Sequence, residues 1–393
     1  MQQADVVGSV AAMKKSLILA MLGLALAAPM MTGCVSGRND APPPTSGPTP
    51  PSSAGAQPWR PRGNPAPTPA PPVPAAPRFD PGAGRPPPAL EMTLHNLWRD
   101  FPGRTGIAVQ RIDGNWSLSR RGDEAFPQQS VSKTWVALTL LSQVDAGRLS
   151  LSDRVTIGPE DLTLFHQPLA ARVAREGRFE ASLGELLDQA ITGSDNSAND
   201  ALLRRVGGPD AVNGFIERNR LGRIRFGPGE RLLQSHTAGL EWRQSYSVGR
   251  SFQVAREAVP LAVRRAAMER YLANPEDGAS PLSLTDALAR LARGDLLSPA
   301  STRLMLDTLS RTSSGPQRLR AGVPAGWRVA HKTGTGQELE GRATGYNDIA
   351  ILTAPDGTRY AVAVMLAHTT ASVPQRMSLM QAVARAVAAN HGL

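Results

Sequence analysis

The rhythm of apolar and polar positions changes several times along this chain, and each change marks an element. Thr105-Gly-Ile-Ala-Val-Gln-Arg-Ile112 and Trp116-Ser-Leu-Ser119 alternate on either side of Asp113-Gly114-Asn115, which predicts two short strands around a turn. Near the other end, Asn347-Asp-Ile-Ala-Ile-Leu-Thr353 and Arg359-Tyr-Ala-Val-Ala-Val-Met-Leu366 flank Pro355-Asp356-Gly357, a hairpin with turn residues where the reversal needs them. From near Pro374 to Ala389 the spacing is that of an amphipathic helix. Between these ends the pattern is helical. Ser182-Leu-Gly-Glu185 is a capping box that opens a helix through Ala190, and another helix runs from about Asn199 to Gly207-Gly208. Trp135-Val-Ala-Leu-Thr-Leu-Leu141 is an apolar stretch that predicts a buried helix. Strands at both ends with helices between them predict a two-lobed α/β fold. An antiparallel sheet from both ends of the body is flanked by helices, an all-helical lobe is inserted at about 130–320, and a cleft lies between the lobes.

The first 90 residues belong to no such pattern. Met13-Lys14-Lys15 followed by an apolar run from Ser16 has the form of a secretory signal, too short for a membrane span, and Met13 is a candidate start. The run ends at Met31-Thr32-Gly33-Cys34, which resembles a bacterial lipobox and carries the only cysteine. Lipidation at Cys34 would hold the protein on a membrane. The alternative is an ordinary cleaved signal over residues 1–34. Residues 35–89 hold more than half of the 34 prolines, with few large apolar side chains. Such a segment buries no core, and in polyproline geometry it reaches on the order of 100 Å, as a tether or as a plain spacer. The catalytic body is then 90–393, exported to the periplasm or cell envelope and folded without disulfides.

The formal charge of +10 comes mostly from scattered arginines, with no basic run interleaved by aromatics, so nucleic acid is not the expected partner. The six histidines, His166, His236 and His331 among them, show no ligand spacing, and no cysteine completes a metal site. No cofactor is expected.

The chemistry concentrates in three short motifs, Ser130-Val-Ser-Lys133, Ser194-Asp195-Asn196 and Lys332-Thr333-Gly334. A serine hydroxyl attacks only when a nearby base takes its proton, and one helical turn brings Lys133 beside Ser130. Taken alone, Ser130 reads equally as a helix cap, and an Asx-rich loop as a turn. A glycine in an edge strand, as at Gly334, lets a ligand approach the backbone. In this order the motifs resemble those of class A β-lactamases and penicillin-binding proteins. Phe126-Pro127, Leu296-Leu297-Ser298, Arg320-Ala-Gly-Val-Pro-Ala-Gly-Trp327 and Tyr346-Asn-Asp-Ile-Ala350 extend the likeness over most of residues 90–393.

The resemblance implies an acyl-enzyme at Ser130, with Lys133, Ser194 and Lys332 handling protons. It also implies that Asn196 binds the substrate's side-chain amide, that Thr333, Gly334 and Thr335 line the carboxylate site, and that the N–H groups of Ser130 and Thr335 form the oxyanion hole. Class A enzymes carry a deacylating glutamate in an E-x-x-L-N context, which is absent here, while Asp277-Gly-Ala-Ser-Pro281 is similar to the exit of the loop that bears it. Glu241, Glu257 and Glu269 are the candidate replacements, and Arg376 is a candidate carboxylate anchor. The expected activity is hydrolysis of β-lactam amides by a monomer. The alternatives are a penicillin-binding-protein-like DD-peptidase or esterase that deacylates slowly on cell-wall peptides, and a non-catalytic wall-binding module.

Overall fold

The computed structural model describes residues 84–114 and 116–392. The signal-like segment with Met13 and Cys34, the Pro-rich stretch through residue 83 and the turn residue Asn115 lie outside the described residues.

The alternation near both chain ends becomes one five-stranded antiparallel sheet, in the order Ser117–Arg120, Arg104–Arg111, Arg359–Ala367, Tyr346–Thr353, Arg328–Thr335. The register Arg104↔Ala367 through Arg111↔Tyr360 stitches the two ends of the body together. The pairing Tyr346↔Thr335 through Thr353↔Arg328 hangs the strand bearing Lys332 on the sheet's edge.

Both faces of the sheet are covered, so its central strands are apolar at successive positions, and their side chains sort by the period of two. Tyr360, Val362, Val364 and Leu366 pack against Leu90 and Leu94 of the helix Pro88–Asp100 and Met380 and Val383 of Val373–Ala389. Ala361, Ala363 and Met365 face the opposite core, shared with Leu284 and Leu288 of Pro281–Arg293 and continuous with Trp135 and Leu138 in the helical lobe. Burying each large apolar side chain contributes roughly 1.5–3 kcal/mol, so the sheet is held from both sides. The helix Pro88–Asp100, which no pattern predicted, supplies part of that cover.

The helix Lys133–Asp145 is buried from Lys133 through Leu141 and forms the axis of the helical lobe. Leu183–Thr192, Asn196–Val206, Gly208–Arg218 and Pro299–Ser310 pack around it. Ser182 caps the first of these with the predicted box, its hydroxyl accepting from Glu185 N. Among the described residues no helix is long and apolar enough to cross a membrane.

Two contacts place the segment before Ser130. Phe126–Pro127 pairs with Gly278–Ala279, at the end of a stretch carrying the helices Glu230–Thr237, Ser251–Ala258 and Leu261–Ala273. The edge strand also lies directly on Gln128, where a Cβ added at Gly334 would sit 2.3 Å from the Gln128 carbonyl oxygen. The glycine read as room for a ligand therefore first makes room for the backbone just before Ser130.

Candidate active site

Ser130 stands in a single 3-10 turn, Gln129–Ser132, that runs into the buried helix. The turn begins with Gln129 at φ +54, a left-handed conformation that costs a non-glycine residue of order 1–3 kcal/mol unless its surroundings enforce it. Here they do. Gln129 N donates to Asp277 Oδ2 at 2.6 Å, its Nε2 donates to the Tyr271 hydroxyl at 2.6 Å, and its Oε1 accepts from Gln234 Nε2 at 3.1 Å. Tyr271 closes the ring by donating to Asp277 Oδ1 at 2.8 Å. Burial raises the Asp277 carboxyl to about 6 and, with Asp277 beside it, pushes the Tyr271 phenol well above its ordinary value.

One turn into the helix, the Lys133 ammonium donates to Ser130 Oγ at 2.8 Å and to Asn196 Oδ1 at 2.8 Å, and it forms an ion pair with Glu230. Both charged side chains are buried. Glu230 opens the helix Glu230–Thr237, and its N–H donates to Asp200 Oδ1 at 3.1 Å. Asp200 in turn has its carboxyl pushed up, first by burial and then by the Glu230 charge. On the same helix face as Glu230, the Gln234 amide reaches Glu230 Oε2 at 3.4 Å.

A second lysine enters from the edge strand. Lys332 Nζ donates to Ser194 Oγ at 2.8 Å and to the Thr333 carbonyl at 3.1 Å. Burial, then the Lys133 ammonium, hold Lys332 well below the usual lysine range. The structure thus brings Lys133 to Ser130 directly and Lys332 to Ser194. Ser194 has φ +58, and the next residue, Asp195, is structural: it accepts from Ala198 N at 2.9 Å as helix cap and from Leu169 N at 2.7 Å. Asn196 is oriented by donating to the Leu164 carbonyl at 2.7 Å.

These groups line a cleft of about 400 Å³, walled by Ser130, Ser194, Asn196, Glu230, Thr333 and Thr335 among others. Lys133 and Lys332 lie just behind it. A larger hollow of about 1010 Å³, behind Glu230–Thr237, contains none of the motif residues.

Several sequence expectations change here. Glu241 and Glu257 are exposed, and Glu269 pairs with Arg342 at 2.9 Å on the surface, so none of the three is brought to Ser130. The carboxylate that meets Lys133 is Glu230. Its signal was Glu230-Arg-Leu-Leu-Gln234, an E-x-x-L run ending in Gln where Asn was sought. Arg376 is buried and committed elsewhere, with Nε on the Ala371 carbonyl at 2.7 Å and Nη1 on Glu338 Oε1 at 2.6 Å. Arg318 does line the cleft, aimed by the carbonyls of Gly334 at 3.0 Å and Asn347 at 2.6 Å and by Thr335 Oγ1 at 2.5 Å. Its guanidinium lies 3.7 Å from the Tyr346 ring centroid. His331 is buried against Asp348, Nδ1 to Oδ1 3.0 Å, on the far side of the strand from this chemistry.

A family model described as the Beta-lactamase enzyme family matches residues 89–391. The chain is 26% identical over 281 residues to β-lactamase VEB-1 of Pseudomonas aeruginosa, covering 71% of this chain and 83% of that protein. The structure of a class A β-lactamase representing the last common ancestor of Gram-negative bacteria aligns with a TM-score of 0.60 at 32% identity, over 77% of this chain and 98% of its own. A β-lactamase from Chitinophaga pinensis shares the fold, with a TM-score of 0.62 at 24% identity over 76% of this chain and 98% of its own. With the match spanning the whole two-lobed body, the chain belongs to the β-lactamase enzyme family, as a relative of its class A serine enzymes.

Proposed function

We propose that this protein hydrolyses β-lactam amides through an acyl-enzyme on Ser130, which Glu230 then clears. The observation that carries the reading is the triple engagement of Lys133 by Ser130 Oγ, Asn196 Oδ1 and the Glu230 carboxylate. A nucleophile, its base and a second base for water are thereby held within one buried network.

Lys133 acts as the free amine, taking the Ser130 proton as Oγ attacks the lactam carbonyl carbon, and the ammonium so formed stays paired with Glu230. The N–H groups of Ser130 and Thr335 receive the oxyanion, and loss of one such donor costs roughly 100- to 1000-fold in rate. The C–N bond then breaks, and the ring nitrogen takes its proton from Ser194, which Lys332 resupplies. In the second half, Glu230 removes a proton from water, the water oxygen bonds to the acyl carbon, the Ser130 alkoxide leaves and is reprotonated by Lys133, and the Glu230 proton passes on through Lys133 to refill Lys332. Asn196 meets the substrate's amide side chain. Thr333, Thr335 and Arg318 meet the ring carboxylate, for which a guanidinium fork is well shaped. Gly334 keeps the strand close enough for both ends to be reached.

The presence of Glu230 on Lys133 favours rapid release over the slow deacylation of a DD-peptidase. Turnover of a chromogenic cephalosporin that vanishes in Ser130→Ala tests the reading, and equal turnover in the variant refutes it. The leader and Cys34 further support export to the periplasm or cell envelope with a lipid anchor. Metabolic labelling with a tagged fatty acid, lost in Cys34→Ala, tests the anchor.

A further inference from the structure

The cleft carries one cation that these steps do not use. Arg256, on the helix Ser251–Ala258, lines the cleft half-buried, and its Nη1 donates to Gln337 Oε1 at 3.0 Å. Gln337 in turn donates to the Gln234 carbonyl at 2.8 Å and to Gln234 Oε1 at 3.0 Å, which puts Arg256 at the Glu230 end of the cleft. Arg318, held by different partners, stands beside Thr335.

Two other arginines that join this stretch to the sheet's rim are neutralised. Arg265 pairs with Glu340 through both guanidinium arms, and Arg342 pairs with Glu269. Among the described residues, no ion pair engages Arg256, and its only side-chain partner is the neutral Gln337 amide. A half-buried guanidinium with donors to spare attracts an anion more strongly than a surface one, because less water screens it. The anionic side chain of the cleft, Glu230, is already committed to Lys133.

We propose that Arg256 is a specificity-determining residue, selecting β-lactams whose acylamino side chain bears a carboxylate. The inference rests on the reading of Ser130 as a β-lactam hydrolase, in which Asn196 and the Glu230 end receive that side chain and Arg318 receives the ring carboxylate. A dicarboxylate substrate then spans the cleft between two cations.

Carbenicillin and benzylpenicillin differ by one carboxylate on the side-chain α-carbon and make a matched pair. The measurement is kcat/KM for both, in wild type, Arg256→Ala and Arg256→Lys, with melting temperatures as a check on folding. In Arg256→Ala the carbenicillin-to-benzylpenicillin ratio is expected to fall roughly 5- to 30-fold, mainly through KM, as for loss of one charge-assisted hydrogen bond. Arg256→Lys, which keeps the charge, should lose less than about 3-fold, and added salt should narrow the ratio in wild type but not in Arg256→Ala. An unchanged ratio in Arg256→Ala, or an equal loss in Arg256→Lys without salt dependence, overturns the inference while leaving the hydrolase reading intact. Absence of both turnover and acyl adduct with either penicillin overturns both.

Discussion

Replacing Glu230 with glutamine separates the two halves of the proposed reaction. The substitution is isosteric, and the new amide oxygen still accepts from Lys133 Nζ, so the geometry around Ser130 is kept. The base is lost. General-base removal of a proton contributes roughly 100- to 10,000-fold, so hydrolysis should fall by that factor while acylation continues through Lys133. Breaking a buried ion pair costs about 3–5 kcal/mol when one partner is left uncompensated. Here part of that cost is offset, because Asp200, whose carboxyl is raised first by burial and then by the Glu230 charge, is relieved of that charge. Net destabilisation should therefore stay below about 3 kcal/mol and leave the variant folded.

The assay is time-resolved intact-protein mass spectrometry with benzylpenicillin, followed by digestion to locate the adduct. Wild type should turn over with little adduct at any time. Glu230→Gln should accumulate one whole penicillin per chain on the Ser130 peptide, persisting roughly 100-fold longer or more. Gln variants of Glu241, Glu257 and Glu269 should behave as wild type. Wild-type turnover in folded Glu230→Gln, or a lasting adduct in one of the other three, would refute the assignment.

Arg318→Ala should raise KM for penicillins about 10-fold or more and lower the melting temperature, since it removes both the cation and the tie between Gly334 and Asn347; Arg318→Lys should restore charge but not the fork, measured by steady-state kinetics. Gly334→Ala should destabilise the fold and depress kcat, because the added carbon meets the Gln128 carbonyl and displaces the nucleophile's turn; a well-folded, fully active variant would contradict that contact. Stability should respond to Asp277 with a definite sign. Its folded carboxyl, at about 6, binds a proton that the unfolded one, near 3.8, has already released, so its contribution falls as pH rises from about 4 to 6. The difference is about 3 kcal/mol over that window, and Asp277→Asn should remove this decline in denaturant titrations run across it; a parallel pH dependence in the two proteins would show otherwise.

Sequence alone determined the parts whose physics is local. Strand alternation in 347–353 and 359–366, the box at Ser182 and the apolar run from Trp135 each answer to a backbone period or a cap, and each element appears within a few residues of its expected bounds. The Ser130 and Lys133 pair was equally legible, because one helical turn sets that distance. Tertiary structure decided every choice among chemically equivalent partners. Several glutamates could have met Lys133, and the one that does lies 97 residues away, selected by the packing of Glu230–Thr237 against Asp200. Among many arginines, Arg318 faces the cleft because two carbonyls and the Tyr346 ring aim it there, while Glu338 holds Arg376 elsewhere. Gly334 was marked by its motif, yet its reason, a backbone carbonyl from a segment far away in sequence, exists only once the sheet edge and the nucleophile's turn have met. A motif specifies what a residue type does, and only the folded packing specifies which copy of that type is in reach.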